Sequence, residues 1–303
     1  MTGILGLFVA LVHIGLVLLA APTLAGIIAW CEARLVGRAG PPVLQPWRDL
    51  RRLLRKQSIL SDAASAITDL APAACLAATA VAACLIPSFS LRTSLAPFED
   101  LVVVAGLLAA SRVALALIAM DAGTSAEGMG ASRTMALACL AETALLMAAF
   151  SMAVHAGSLN LDAVAAMQRD TLSAWPAGVA LALAATALLV LADGWSPWSA
   201  ADVSGAELAA IETSAALRLV VWFDLVGSAF LPFGMADVGD GPLGWVVGLT
   251  CWLIRLLAFA GLLAAARAVS GRLRLRQAAQ ALGAAALIGL LATLVLLSGM
   301  GTA

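Results

Sequence analysis

The amino-acid sequence predicts an all-α, polytopic membrane protein with about eight transmembrane helices and a cytoplasmic amphipathic interfacial helix after the first span. Hydrophobic residues make up 63% of its 303 residues, charged residues only 12%, and the mean hydropathy is +1.02. So little polar surface cannot cover a water-soluble globule. The apolar segments are also long and continuous, whereas the strands of a membrane β-barrel would alternate between apolar and polar residues.

Eight apolar segments approach the ~20 residues that a helix needs to cross the hydrocarbon core. They cover residues 3–30, 68–88, 101–120, 133–155, 175–193, 207–233, 243–266 and 278–300. The connections between them are short, so we expect residues 1–303 to form a single integral membrane domain. The first segment has no basic residue before Arg34 and is too long for a signal peptide, so we expect it to be retained.

The distribution of basic residues between the connections predicts the orientation of the chain. One set of alternate connections holds Arg34, Arg38, Arg48, Arg51, Arg52, Arg55, Lys56, Arg133, Arg267, Arg272, Arg274 and Arg276. The other set holds only Arg92 and Arg169. Because basic loops stay in the cytoplasm, we expect a multi-pass protein of the inner membrane with both termini on the outer side.

Several classes of cofactor site are not supported by the sequence. The cysteines are scattered singly, which indicates small buried thiols; they are Cys31, Cys75, Cys84, Cys139 and Cys251. His13 and His155 are far apart, and a hydrogen-bonded core or interfacial histidine is favoured over a haem ligand. Lys56 is the only lysine and is in no phosphate-binding loop. We therefore expect this chain to bind no metal or cofactor.

A basic segment, GPPVLQPWRDLRRLLRK at residues 40–56, follows the first span. Helical spacing places Trp47, Leu50, Leu53 and Leu54 on one face and the basic residues on the other, with Pro46 in the first turn. This pattern predicts a helix that lies along the membrane surface. Two roles are open for it: anchoring to anionic lipid, or docking a soluble partner against the rigid proline-rich corner that precedes it.

Two segments carry a resemblance to a known family. The first loop, GRAGPPVLQPWRDLRRLLRK, resembles the first cytoplasmic loop of the NADH dehydrogenase subunit 1 family, with its G-P…Q-P…D…K-L-L-x-K pattern. Residues 121–146, DAGTSAEGMGASRTMALACLAETALL, resemble the G-T…G-G-x-G-A-S-R…E signature of one branch. That branch occurs in formate hydrogenlyase, hydrogenase 4 and other energy-converting hydrogenase complexes.

The resemblance implies the membrane anchor and ion-coupling subunit of a respiratory-type oxidoreductase complex. Its expected partners are soluble iron–sulfur and hydrogenase-like subunits on the cytoplasmic side, antiporter-like membrane subunits and lipid, but no nucleic acid. No activity is expected of the chain alone. Alternatives are a quinone-chamber subunit of a complex I-like or hydrogenase-related complex, and a stand-alone ion transporter. The implied docking residues are Gly40, Pro41, Gln45, Pro46, Arg48, Asp49, Arg51, Arg52, Arg55, Lys56 and Arg133.

Charged residues inside the predicted spans point to a polar path through the membrane. They are Arg112, Glu142, Glu212, Arg218, Asp224 and Arg255, with Glu207 near the start of the sixth span. Each costs ~2.5–3.5 kcal/mol at the centre of a membrane helix, so they are expected to face protein or water. Because acids and arginines balance, we expect mutual pairing. An ion path and structural ion pairs that lock the helices are both open interpretations.

The resemblance assigns a particular role to Glu142. Ser132 is suited to cap the fourth predicted helix, which would place Arg133 in its first turn and Glu142 nine residues later on the opposite face. In the family, a glutamate at the position of Glu142 opens the proton-conducting axis. The sixth span departs from the family, because Arg218 stands where a glutamate is expected and Asp202 is displaced; Glu212 is a candidate substitute.

Overall fold

The computed structural model describes residues 2–58, 65–121, 123–170, 177–193, 203–271 and 275–300. Within them the chain forms ten α-helices, two short strands and two 3₁₀ turns. The helices are α1 (Thr2–Leu35), α2 (Gln45–Leu53), α3 (Ala66–Cys84), α4 (Leu101–Asp121), α5 (Ser125–Ala156), α6 (Leu161–Asp170), α7 (Ala177–Asp193), α8 (Gly205–Phe230), α9 (Gly241–Ser270) and α10 (Leu275–Met300). The strands are β1 (Ser90–Leu91) and β2 (Ala236–Asp237), and the 3₁₀ turns cover Ala96–Phe98 and Val238–Asp240.

The all-α, polytopic fold is confirmed. Eight of the helices, all except α2 and α6, occupy the eight predicted segments. Among the described residues, six of them are long and apolar enough to cross a membrane: α1, α3, α4, α5, α9 and α10. The helix α7 is apolar but has 17 residues, and α8 carries four ionisable side chains. Residues 175 and 176 of the predicted fifth segment lie outside the described part of the chain.

The helix α8 lies at the centre of the bundle. It packs against α1, α2, α3, α6, α7 and α9, and every residue from 220 to 230 is buried. The large side chains Leu217, Trp222 and Phe230 are almost fully buried. Since protein encloses residues 220–230 and neighbouring helices flank the first half of α8, its ionisable residues can contact other side chains within the bundle.

The start of α5 differs from the prediction. The helix begins at Ser125, where Thr124 is the N-cap and its hydroxyl accepts a hydrogen bond from the Glu127 backbone N–H. Gly123 has a φ of 68°, a left-handed conformation that glycine adopts without strain, and this turn immediately precedes the N-cap of α5. The predicted cap at Ser132 was therefore wrong, and Arg133 lies in the third turn rather than the first.

The two ends of the bundle differ in charge. At the end that carries α2, which we term the basic end, Arg267 of α9 pairs with Glu32 of α1 at 3.4 Å. At the opposite end, β1 and β2 pair in parallel, and Arg92 and Arg169 contact Asp237. This arrangement agrees with the predicted partition of basic residues. The predicted cytoplasmic residues Arg272 and Arg274 lie outside the described residues, and the membrane side that each end faces stays a prediction.

Candidate functional site

The helix α2 and the loop before it are held closely against α1. A Cβ at Gly26 of α1 would overlap the Val43 carbonyl, and one at Gly40 would lie 3.1 Å from the Trp30 Cα. Two glycines therefore allow the loop to approach the helix backbone. Pro46 lies in the first turn of α2, as predicted, where its missing N–H costs nothing. The proline-rich corner is thus a fixed element of the fold.

The outward surface of α2 is strongly basic. The exposed basic residues of α2 and of the turn that follows it, together termed the α2 basic face, are Arg48, Arg51, Arg52, Arg55 and Lys56. On the other side Leu53 is buried and Trp47 and Leu50 are half-buried, so the predicted amphipathic helix is confirmed. Leu54 is the exception, because it follows the last helical residue and is exposed. Asp49 pairs with Arg52 at 3.3 Å and accepts a hydrogen bond from Gln45.

A cavity of about 330 Å³, termed the α2 cavity, lies between α1, α2 and α8. Its lining includes Asp49 of α2 and Glu212 of α8, and the rest is mostly apolar. A second carboxylate of α8 lies close to the segment after α2, because the Ser58 hydroxyl donates a hydrogen bond to Glu207. The predicted docking helix and the first two acids of α8 are therefore neighbours.

Arg112 of α4 and Glu142 of α5 form an ion pair with an N–O distance of 3.6 Å. Arg112 is 5% exposed and Glu142 is 31% exposed. The predicted pairing of intramembrane charges is confirmed for these two residues. Arg133, on the same helix as Glu142, is exposed and takes no part in the pair.

A second cavity, of about 260 Å³, lies among α4, α5, α7, α8, α9 and α10. Its lining includes Arg112, Arg218 and Arg267, so we term it the arginine cavity. On α8, Ser214 is directed towards α3, where its hydroxyl lies 3.2 Å from the Cys75 sulfur. The α8 polar residues thus contact α2, α3 and the arginine cavity at successive levels of the helix.

Asp224 of α8 and Arg255 of α9 lie apart from the two cavities. The Trp252 indole N–H donates a hydrogen bond of 2.7 Å to Asp224. Arg255 donates to the Leu231 and Ser88 carbonyls, at 3.0 and 2.6 Å. Neither residue lines the α2 cavity or the arginine cavity. The structure therefore places five of the seven candidate ion-path residues at α2, at the arginine cavity or paired with a residue of that cavity, and keeps Asp224 and Arg255 apart from both cavities.

The structure also reveals buried polar residues that the sequence reasoning missed. Glu99, just before α4, is 2% exposed; it accepts a hydrogen bond from Thr93, and its second carboxylate oxygen has no partner in the described structure. Burial raises the pKa of Glu99 to about 8. Its position among the loop residues between two spans gave no signal of burial.

His13 and Cys75 are buried in the core as predicted, whereas Cys139 is not. His13 is a hydrogen-bonded core residue, as favoured, since its Nδ1 lies 2.6 Å from the Ser88 hydroxyl oxygen. Cys75 is buried, but Cys139 is exposed, so the expectation of buried thiols was wrong for Cys139. Its place on an outward face of an apolar helix explains this, because lipid accepts a thiol as readily as a protein core does. No cluster of three or more potential metal ligands occurs among the described residues.

The family model described as NADH dehydrogenase matches residues 7–197, more than half of the chain. The chain belongs to the NADH dehydrogenase family. Within this family it is 28% identical over 272 residues to formate hydrogenlyase subunit 4 of Escherichia coli (strain K12), covering 84% of this chain and 87% of that protein. It is 30% identical over 244 residues to hydrogenase-4 component C of the same organism, covering 75% and 76%.

A solved structure supports the fold of this NADH dehydrogenase family member over nearly its whole length. The chain superposes on a subunit of the membrane-bound sulfane sulfur reductase, an archaeal respiratory membrane complex, with a TM-score of 0.82. The match covers 96% of this chain and 99% of the other at 19% sequence identity. The predicted family resemblance is thereby confirmed, and its named relatives are components of membrane oxidoreductase complexes.

Proposed function

We propose that this chain is the membrane anchor and ion-coupling subunit of an oxidoreductase complex of the energy-converting hydrogenase or formate hydrogenlyase-like type. It docks soluble iron–sulfur and hydrogenase-like subunits at the basic end, in the cytoplasm, and lies beside antiporter-like membrane subunits in the inner membrane. It has no activity alone and binds no cofactor itself. The observation that carries the proposal is the α2 cavity, in which Asp49 of the docking helix and Glu212 of α8 meet.

The docking role rests on the shape and charge of α2. The α2 basic face is exposed, while the close approach of Gly26 and Gly40 fixes the helix against α1. A lipid anchor does not require such a fixed orientation, whereas a docking surface does, because a preorganised surface loses little freedom on binding. An acidic surface on the soluble subunits would complement it. The exposed Arg133 is proposed to extend this face. The residues that support it are Gly40, Pro41, Gln45, Pro46 and Asp49.

The ion-coupling role rests on the order of the polar residues. Glu207 and Glu212 lie beside the α2 segment. Arg218 lies deeper along α8, about 20 Å from its first residue, in the cavity that Arg112 also lines. Arg112 then pairs with Glu142. A change of charge in the docked subunits would act first on Glu207 and Glu212, because these two acids lie nearest to α2. Asp224 and Arg255 are proposed to continue the path towards the opposite end.

Purification of the complex tests the docking role. We expect the tagged chain, extracted in a mild detergent, to retain a soluble iron–sulfur subunit. Replacing Arg48 and Arg51 with glutamate should release that subunit, whereas Arg276→Glu, an exposed arginine on α10 at the same end, should not. A stand-alone transporter would never retain such a subunit and would move ions in vesicles without it.

A quinone-chamber subunit is the second candidate, because the α2 cavity has mostly apolar walls. Quinone rings bind in apolar cavities that contain a few polar groups. Filling the cavity with Ala25→Phe would then abolish electron transfer to a soluble quinone analogue by the assembled complex. If the wild-type complex does not reduce the analogue, this second candidate is wrong.

A further inference from the structure

Among the described residues, the lining of the arginine cavity has an excess of positive charge. Arg112, Arg218 and Arg267 line it, and its described lining contains no carboxylate. Two of these arginines have an acid beside them, since Glu142 lies 3.6 Å from Arg112 and Glu32 lies 3.4 Å from Arg267. The third, Arg218, makes no ion pair or hydrogen bond within the described part of the chain and is half-buried. Arg218 is therefore a guanidinium with no counter-charge among the described residues, in a mostly apolar environment.

An uncompensated charge among membrane helices is costly, so it marks a site where another group is expected. The five N–H donors of a guanidinium match the oxygens of a phosphate group, and several arginines together select phosphate strongly. Basic pockets between transmembrane helices on the cytoplasmic side are suited to phosphate headgroups. The chemistry of the cavity therefore favours a phosphate group over a cation or a neutral ligand.

The position and size of the cavity agree with such a ligand. Arg267 lies in the last turn of α9, at the basic end, and is 28% exposed. Ala192 of α7 and Leu282 of α10 contribute apolar wall near the same end. At about 260 Å³, the cavity is smaller than the roughly 300–1,000 Å³ of most ligand pockets, which suits a headgroup whose hydrocarbon chains remain outside.

We propose that the arginine cavity binds a phosphate group, held by Arg218 together with Arg112 and Arg267, while its apolar walls contact the adjoining carbon atoms. The phosphate comes either from an anionic phospholipid of the leaflet at the basic end or from free inorganic phosphate. When bound, it compensates the charge of Arg218 and joins α8 to α4 and α9. This site goes beyond the coupling function, because it requires no docked subunit.

Binding to the purified full-length chain tests the proposal. The chain is delipidated in detergent, and native mass spectrometry then measures the binding of phosphatidylglycerol, of phosphatidylcholine with the same acyl chains, and of inorganic phosphate. We expect Arg218→Gln to weaken binding of the phosphate-bearing ligand about tenfold, because a charge-assisted contact is lost. Arg218→Lys should bind with intermediate affinity. Arg276→Gln, which removes an exposed arginine outside the cavity, should bind as the wild type does.

The results distinguish a phospholipid from inorganic phosphate as the source of the phosphate group, and they also show when the proposal fails. Retention of phosphatidylglycerol that inorganic phosphate does not displace identifies the lipid as the source, whereas saturable binding of inorganic phosphate identifies the free anion. The proposal is overturned if neither binds, if phosphatidylcholine binds equally well, or if Arg218→Gln binds like the wild type. Melting curves check that each variant is folded. If Arg218→Gln does not fold, the binding affinity of Arg218→Lys is compared with that of the wild type instead. Loss of ion coupling in the complex would not change these results.

Discussion

Arg112 of α4 and Glu142 of α5 face each other at 3.6 Å, and the arginine is almost completely buried. The pair joins two neighbouring helices at the edge of the arginine cavity, which Arg112 also lines. Because Arg112 has little access to solvent, the carboxylate of Glu142 is important for its charge balance. The same acid is the one that the family resemblance places at the start of the ion path.

The pair should therefore behave as a unit in stability measurements. Replacing only the acid, in Glu142→Leu, removes the counter-charge 3.6 Å from the buried Arg112 and should lower the free energy of unfolding by about 1–3 kcal/mol, since Glu142 is partly exposed. Replacing both residues with leucine should cost less than the sum of the two single replacements, with a coupling energy of ~1–2 kcal/mol. Unfolding of the four proteins in detergent measures this cycle, and additive effects would show that the pair does not interact.

The close approach of the first loop to α1 predicts a specific effect of a single methyl group. In Gly26→Ala the new Cβ would overlap the Val43 carbonyl and lie 3.2 Å from the Pro46 Cδ. Because backbone must move, we expect a loss of about 1–3 kcal/mol of stability and weaker retention of the soluble subunits. Gly15→Ala is the matched control, since a Cβ at Gly15 has no neighbour within 4 Å. Equal behaviour of the two variants would contradict the proposed fixed position of α2.

Glu99, at the end of the bundle opposite α2, should make the stability of the folded chain depend on pH. Burial raises its pKa from 4.5 to about 8, against the effect of the Thr93 hydrogen bond and with a further contribution from Asp162. Between these pH values the folded chain keeps the proton that the unfolded chain releases, so stability falls as the pH rises through this window. The melting temperature should therefore decrease from about pH 5 to about pH 8, and Glu99→Gln should reduce this slope. An unchanged slope in the variant would contradict the assignment to Glu99.

A substitution at Asp224 can distinguish a structural role of this residue from a role in the ion path. The Trp252 indole donates a hydrogen bond of 2.7 Å to Asp224. In Asp224→Asn the side-chain amide oxygen can still accept this hydrogen bond. We expect the variant to be within ~1 kcal/mol of the wild type in stability, because the contact is retained. If Asp224 carries ions, translocation by the assembled complex should nevertheless fall. Translocation at the wild-type rate would assign Asp224 to helix packing alone.

Much of this arrangement could be predicted from the sequence because the physical signals are strong. Long apolar segments identify the spanning helices, and the two faces of α2 differ sharply in charge. Arg112 and Glu142 also stand out, because charged residues in such apolar helices need partners. Their actual pairing was not specified by the sequence, since three arginines and three acids allow several combinations.

The elements that the sequence did not reveal depend on contacts between distant segments. The helix α6 has ten residues of low overall hydrophobicity, and β1 and β2 have two residues each. Their formation depends on pairing across the bundle end, such as the hydrogen bond from the Leu161 N–H to the Glu99 carbonyl. The start of α5 differs from the predicted cap at Ser132 because it depends on the turn at Gly123, which the local sequence pattern does not specify.

Glu142 is proposed to couple electron transfer to ion movement, and ion translocation by Glu142→Gln in the assembled complex tests this role most directly. With the complex reconstituted in vesicles, the measurement is the number of ions moved per electron transferred. We expect assembly to be retained and translocation to fall at least roughly tenfold, because glutamine cannot carry a proton. Thr143→Ala, a change at the adjacent exposed residue, should have no effect. Electron transfer and translocation that both persist unchanged in Glu142→Gln would show that Glu142 does not couple the two processes.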